Sequence, residues 1–184
     1  LATLTLLAGC IRTSDENTTV EAAKSELSIG LPIGISRTAI DNEGKASWIE
    51  GDTFALWAEN KEGVRKMDGA KFSMMYFWHS FQSAVFTAET ELMEEGDYTY
   101  YAVAPMPTSQ SGKVATFNIP AEQEGGTFNG AYDVMVAAPL FGEAVVLDRV
   151  NNLALDFQHK MHTLKVTIAE NNLGSEISKL KFSF

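Results

Sequence analysis

An alternation of large apolar and small residues between positions 27 and 35 constrains the fold more than any other feature. The sequence there reads Leu-Ser-Ile-Gly-Leu-Pro-Ile-Gly-Ile. Successive side chains of a β-strand point to opposite faces, so the large side chains share one face and the small ones share the other. The pattern predicts a strand, 27–35, with one face in a core. Because Pro32 has no N–H to donate, we expect this strand at a sheet edge or bonded on one side only.

Short apolar stretches continue along the chain, separated by turns rich in Gly, Asp and Asn. They predict further strands at 53–58, 71–78, 83–87, 98–104, 114–119, 132–137, 144–147, 153–168 and 177–184. Many short strands at this spacing, without a strong helical pattern, predict an all-β sandwich. The apolar residues of 153–168 change parity part-way along, which predicts a bulge or corner near His162 and Thr163.

The start of the sequence carries a second pattern, a short apolar run that ends in Leu7-Ala8-Gly9-Cys10 and holds the only cysteine. Bacterial lipoprotein signal peptides end in this way. The small residues admit a peptidase before the cysteine, and the thiol takes a diacylglycerol. The run is too short to cross a bilayer, which needs about 20 residues. We predict lipidation at Cys10; the alternative is a buried strand with a core cysteine.

These patterns divide the chain into three parts. Residues 1–9 are interpreted as the remnant of a lipoprotein signal, which lacks an initiating Met and a basic region. Residues 10–25 are polar and predict a flexible tether. Residues 26–184 predict one β-sandwich domain. Because the last apolar strand carries no stop signal, we expect a second domain to follow that is missing or truncated here.

Charge and composition limit both the partners of the chain and the ways in which its fold can be stabilised. The chain has 14 Lys and Arg against 24 Asp and Glu, a net charge of −10. Nucleic-acid binding needs clustered Lys and Arg to neutralise phosphates, so we expect no nucleic-acid partner. With a single cysteine, no internal disulfide forms, and the core alone has to stabilise the fold.

Residue patterns for catalysis and metal binding are missing from the sequence. No nucleophile elbow, P-loop, dinucleotide fingerprint or zinc-protease motif occurs. His79 lies in an aromatic run and is expected to pack. His159 and His162 are three residues apart, which on a strand gives one core-facing and one exposed histidine. We therefore predict no enzyme, no cofactor and no metal site.

Arg37 is the one basic residue with a special position. It follows the first predicted strand and precedes the polar stretch 38–45. We interpret this stretch as an exposed loop, a preferred place for proteolysis. The alternative is an ordinary surface arginine.

Several short segments, taken in order, resemble one family. They are the lipobox with Cys10, then 37–39, 48–52, 100–105, 119–120 with Gln123, 133–137, and 155–159 with Leu164. Their order and spacing are similar to those of the fimbrillin family, the subunits of type V pili of Gram-negative anaerobes. The resemblance implies a transthyretin-like Greek-key β-sandwich of about seven or more strands. It also implies two such domains in a complete member, of which this chain holds the N-terminal one.

The resemblance further implies how such a protein matures. Fimbrillins are exported as outer-membrane lipoproteins, are cut after an arginine by a trypsin-like protease, and join other pilin subunits by strand exchange in adhesive fimbriae. Arg37 matches the cut position best, with Arg12 as runner-up. A cut after Arg12 frees the lipid alone, whereas a cut after Arg37 also removes strand 27–35. We hypothesise that this strand is a plug whose removal opens a groove for a neighbouring strand.

A cell-surface glycan-binding lipoprotein is the alternative function. Sugar sites use exposed aromatic rings as platforms, and the candidates are Trp48, Trp57, Trp78, Tyr100 and Tyr101. On a β-sandwich the competing interpretation of these residues is core or cross-strand packing.

Overall fold

The computed structural model describes residues 24–32, 39–40, 46–78, 83–120, 122, 129–147 and 149–161. These ranges contain strands, a single-turn 3-10 helix at Gly130–Tyr132, and no α-helix. No helix within them is long and apolar enough to cross a membrane. The strands are β1 (Lys24–Pro32), β2 (Ala39–Ile40), β3 (Ala46–Ser47), β4 (Thr53–Asn60), β5 (Arg65–Trp78), β6 (Ser83–Glu91), β7 (Asp97–Ala104), β8 (Ser109–Ser111), β9 (Val114–Thr116), β10 (Met135–Glu143), β11 (Val150–Asn152) and β12 (Phe157–His159).

Eight strands form one large sheet in the order β11-β1-β6-β5-β4-β7-β10-β12. Strands β4, β5 and β6 are successive antiparallel neighbours, and β7 returns to pair with β4. Three consecutive strands with the fourth beside the first define a Greek key. The remaining pairs, β2–β3 and β8–β9, are separate two-stranded ribbons. The all-β, Greek-key prediction is confirmed.

The large sheet curls around a single aromatic core. Phe54 of β4 stacks on Phe72 of β5, with ring centroids 5.2 Å apart. Phe54 also meets Phe157 of β12 at 5.8 Å, although two strands separate β4 from β12 in the sheet. Trp48 contacts Phe86 of β6 at 4.9 Å and Phe157 at 5.8 Å. These contacts join the two halves of the sheet face to face, as in a sandwich.

The two outermost strands of the sheet are consecutive in the chain. Residues 153–156 connect β11 to β12, and Leu153 and Leu155 of this connection are buried in the core. The connection runs from one edge of the curled sheet to the other, and the amide of Ala138 donates to the carbonyl of Asp156 at 3.4 Å. The open side of the curl is therefore closed by this short segment.

The first strand confirms the predicted buried face and corrects its predicted place. Leu27, Ile29 and Leu31 are buried; Ile33 and Ile35 lie outside the described residues. The prediction of an edge strand is wrong, because β1 lies between β6 and β11. At Pro32 itself the only pairing in the described part of the chain is with Ser83 of β6. The missing N–H is tolerated because β11 borders β1 only over 28–30.

Other strand predictions differ from the structure in their extent. Segments 53–58, 83–87 and 98–104 are strands, while 71–78 is the second half of the longer β5. Of 114–119 only 114–116 is a strand, and 144–147 is not one. The prediction for 132–137 is wrong at its start, because Asn129 Oδ1 accepts from the amide of Ala131 at 3.0 Å and caps a 3-10 turn before β10. The predicted corner at His162 and the strand 177–184 lie outside the described residues.

Candidate functional site

Strand β1 is held on both sides in the large sheet. It pairs antiparallel with β6 along its whole length, from Lys24 opposite Glu91 to Pro32 opposite Ser83. On its other side β11 runs parallel to it, with Ser28, Gly30 and the residue between them in register with residues 150–152. A strand in this position completes the sheet between two partners, so its absence leaves both of them with an unpaired edge.

The inner face of β1 forms part of the hydrophobic core. Leu27 and Ile29 have no exposed surface, and Leu31 is 2% exposed. Lys24 and Glu26 of the same strand are exposed. Full burial of one such apolar side chain stabilises a fold by about 1.5–3 kcal/mol. The strand is thus a structural part of the domain, and its inner side chains fill an apolar part of the core.

Asn151 of β11 fastens β1 to the turn that precedes β11. It is 6% exposed, and its Nδ2 donates to the carbonyls of Ser28 at 3.0 Å and Val146 at 2.9 Å. The carbonyl of Arg149 lies 3.3 Å from the same nitrogen, and Oδ1 accepts from the amide of Val146 at 3.0 Å. Buried polar groups are found almost always with hydrogen-bond partners. The side chain of Asn151 obtains its partners from the backbone of β1 and of the turn before β11.

Gly30 gives β11 room to approach β1. A Cβ built at Gly30 would lie 2.9 Å from Oδ1 of Asn152 and 3.1 Å from Cγ1 of Val150. Any larger residue would therefore move β11 or its side chains. The lack of a side chain at Gly30 therefore leaves the space that the side chains of Val150 and Asn152 occupy.

The three modification residues predicted from the sequence lie outside the described residues. Cys10 and Arg12 precede β1, and Arg37 follows its last residue, Pro32, by five positions. The strand between the two arginines is the described part of this arrangement. Lipidation at Cys10 and cleavage at Arg37 or Arg12 stay predictions.

The predicted aromatic platforms separate into two groups. Trp48 and Tyr100 are core residues, at 2% and 0% exposure. Trp57 and Tyr101 are register partners on β4 and β7, on the face opposite to the core residues Leu56 and Tyr100 of the same strands. The side chain of Trp78 is outside the description. Sequence reasoning found the two outer-face aromatics but not the charged residues beside them.

The structure describes one of the two neighbouring histidines. The side chain of His159 is 38% exposed, whereas His162 lies outside the described residues, so the pair of one core-facing and one exposed histidine stays a prediction. Nδ1 of His159 lies 2.9 Å from Oδ1 and 2.7 Å from Oδ2 of Asp133, which is 4% exposed. The imidazole turns outwards because it pairs with this carboxylate next to β10. Within the described ranges, no three His, Cys, Asp or Glu side chains are grouped as metal ligands.

Most of the chain matches a known protein family. The model of the fimbrillin-like family matches residues 36–184, which is most of the chain. The chain belongs to the fimbrillin-like family. This is a family of structural, non-enzymatic proteins, and it places this fimbrillin-like chain among the cell-surface subunits of pili that contact other pilin subunits. The matched region begins after β1 has ended. No curated protein and no solved structure matches the chain.

Proposed function

We propose that this fimbrillin-like chain is a pilus subunit whose first strand is removed before assembly. It is delivered to the outer membrane by lipid on Cys10, and a trypsin-like protease then cuts after Arg37. The proposal rests on the position of β1 between β6 and β11, where Leu27, Ile29 and Leu31 are buried in the core.

A cut after Arg37 separates β1 from everything that follows it in the chain. Loss of β1 leaves the whole length of β6 without a neighbour on one side and deprives β11 of its only sheet partner among the described strands. It also vacates three buried side-chain positions, each worth about 1.5–3 kcal/mol. A strand from another subunit fills such a groove by β-augmentation, with its backbone bonding β6 and its alternate side chains entering the core.

The position of the cut decides the fate of the protein. Cleavage after Arg12 frees the lipid but keeps β1 in the sheet, so no groove opens. If neither arginine is cut, Cys10 stays attached and the protein is an anchor. In this account residues 1–9 are the signal remnant, 10–25 lead as a tether into β1, and the domain of residues 26–184 is the N-terminal of two in the complete protein.

The test compares the two arginines as a matched pair. Full-length chain and its Arg37→Gln and Arg12→Gln variants are treated with limiting amounts of a trypsin-like protease that is specific for arginine and so does not cut after Lys45. Assembly is followed as SDS-stable ladders on gels. We expect ladders from the original chain and from Arg12→Gln, and none from Arg37→Gln. Equal ladders from Arg37→Gln would contradict the proposal. Mass spectrometry of the released fragment identifies the bond that was cut.

A further inference from the structure

A groove lies on the outer face of the sheet, away from the core and from β1. The β8–β9 ribbon folds back over this face, held where Nη1 of Arg65 donates to the carbonyl of Gly112 at 3.1 Å. Nε2 of Gln110 donates to the carbonyl of Asp68 at 3.3 Å. Between the ribbon and strands β4, β7 and β10 remains a groove of about 310 Å³. Its size is at the lower end of the range for small-molecule sites, about 300–1,000 Å³.

The floor of the groove is apolar and carries two aromatic rings. Trp57 and Tyr101 are cross-strand neighbours on β4 and β7, and both line the groove. Val103 and Val136, a register pair on β7 and β10, continue the floor. Trp57 is 8% exposed, so the more open Tyr101 presents the larger accessible aromatic surface. This floor suits a ligand with a flat apolar face.

The rim of the groove is charged but electrically balanced. Arg65 pairs with Asp68 at 2.8 Å and with Glu59 at 3.3 Å, while Nζ of Lys113 lies 3.6 Å from Glu59. Two cations thus face two carboxylates. The hydrogen bond that Arg65 donates to Asp68 is the main cause that raises the pKa of Arg65 above its ordinary value. A balanced rim offers donors and acceptors together and leaves no spare charge for a strongly ionic ligand.

Two groups on the rim have hydrogen-bonding capacity left for a ligand, one exposed and one buried. Lys113 is 77% exposed, and its Nζ lies 5.9 Å from the centroid of the Tyr101 ring, so it stands beside the aromatic floor. Nε of Arg65 is buried and has no hydrogen-bond partner among the described residues. A buried donor without a partner is unfavourable, and a ligand oxygen that reached it would remove this cost.

We propose that this groove binds one neutral pyranose ring of a glycan. A pyranose has an apolar face of C–H groups, which fits against Tyr101 and Trp57, and a periphery of hydroxyls. The hydroxyls accept from Lys113 and Arg65 and donate to Glu59. The site lies on the opposite face of the sheet from the groove of β1, so it is independent of the proposed assembly mechanism.

The test titrates the full chain with the methyl glycosides of glucose, galactose and mannose. Binding is read by saturation-transfer NMR and by tryptophan fluorescence, with Trp57→Phe to assign the fluorescence change. We expect saturable binding with a dissociation constant of about 1 mM for at least one glycoside. We expect Tyr101→Ala to weaken it about tenfold and the exposed Lys113→Ala to weaken it about threefold. Tyr76→Ala, which changes an exposed tyrosine elsewhere, should leave it unchanged.

Three results overturn the proposal. One is the lack of saturable binding for all three glycosides at tens of millimolar. Another is unchanged affinity in Lys113→Ala, a variant of an exposed residue that keeps its fold even if Tyr101→Ala does not. The third is tighter binding of glucuronate or octanoate than of the neutral glycosides, which would make the groove a site for anions or for amphiphiles.

Discussion

The side-chain amide of Asn151 donates a hydrogen bond of 3.0 Å to the backbone carbonyl of Ser28. It links the first strand, β1, to its parallel neighbour β11, although 123 positions separate the two residues. The same side chain bonds both backbone groups of Val146. One buried amide therefore sets how β1, β11 and the preceding turn fit together.

Replacing Asn151 by Ala should destabilise the domain. The backbone groups of Val146 and the carbonyl of Ser28 lose a partner at a partly buried place, at a cost of about 1–3 kcal/mol. Urea unfolding of the two proteins measures the change. Asn152→Ala, which alters the exposed neighbour, is the matched control and should change stability by about 0.5 kcal/mol or less. Equal losses in the two variants would show that the Asn151 bonds are unimportant.

Ile29→Ala tests how firmly β1 is built into the core. The side chain is fully buried, so its truncation leaves a cavity and should cost about 2–5 kcal/mol. Glu26→Ala on the exposed face of the same strand should have little effect. The free energy of unfolding from urea titrations decides between them. A small loss for Ile29→Ala would mean that the core closes without β1.

The sequence alone predicts those strands in which apolar residues alternate with other residues over many positions. The segment from Leu27 to Leu31 and strand β7 are of this kind, because every second side chain is apolar or aromatic and is buried. The first half of β5 was missed because its residues, Arg-Lys-Met-Asp-Gly-Ala, offer the core only the buried Met67 and the small, partly buried Ala70. The exposed β8–β9 ribbon offers no apolar pattern to the core, and it is held by polar contacts, among them those with Arg65, Asp68 and Glu59.

The sequence does not predict which residues distant in the chain become neighbours in the fold, and the reason is a different one. Nothing near Gly30 indicates that β11 will run parallel to it, and nothing near Trp57 indicates that Arg65, Glu59 and Lys113 will gather beside it. Such neighbours depend on strand order, which local pattern does not determine. Family resemblance supplied the strand-removal hypothesis, and the structure supplied the neighbours that β1 would leave behind.

Two glycines with left-handed backbone conformations allow the cost of backbone strain to be measured apart from the cost of side-chain crowding. Gly69 has φ +64° and Gly63 has φ +77°, so alanine at either site costs about 1–2 kcal/mol of backbone strain. A Cβ at Gly69 would also overlap the side-chain amide of Gln110, whereas Gly63 has open space. Gly69→Ala should therefore lose about 0.5–1.5 kcal/mol more than Gly63→Ala, through the hydrogen bond of Gln110.

The double variant checks the assigned cause. In a Gln110→Ala background the crowding is gone, so the two glycine substitutions should cost the same in thermal or urea unfolding. A difference that persists in that background would place its cause elsewhere in the β4–β5 region.

Tyr100 should make the domain sensitive to high pH. Burial raises the pKa of Tyr100 to about 12, and its hydroxyl donates to the carbonyl of Glu143 at 2.6 Å. An unfolded tyrosine has a pKa of about 10. Between these values the unfolded chain releases the proton while the folded one keeps it. Stability is therefore retained below pH about 10 and falls as pH rises towards 12, by up to about 1.4 kcal/mol per pH unit.

The contribution of Tyr100 is isolated with Tyr100→Phe. This variant should be less stable at neutral pH by about 1 kcal/mol, since the hydrogen bond is lost, but should show a shallower fall in stability above pH 10. Tyr76→Phe, at an exposed position, serves as control. Equal slopes for the original chain and Tyr100→Phe would contradict the assignment.

The central claim is that β1 is discarded when the subunit assembles. N-terminal sequencing of fibres purified from the cell surface tests it most directly, because the first residue of the assembled subunit records where the chain was cut. The account predicts that the subunits begin at Thr38 and have lost Cys10 together with β1. Fibres whose subunits still carry residues 27–35 would contradict it.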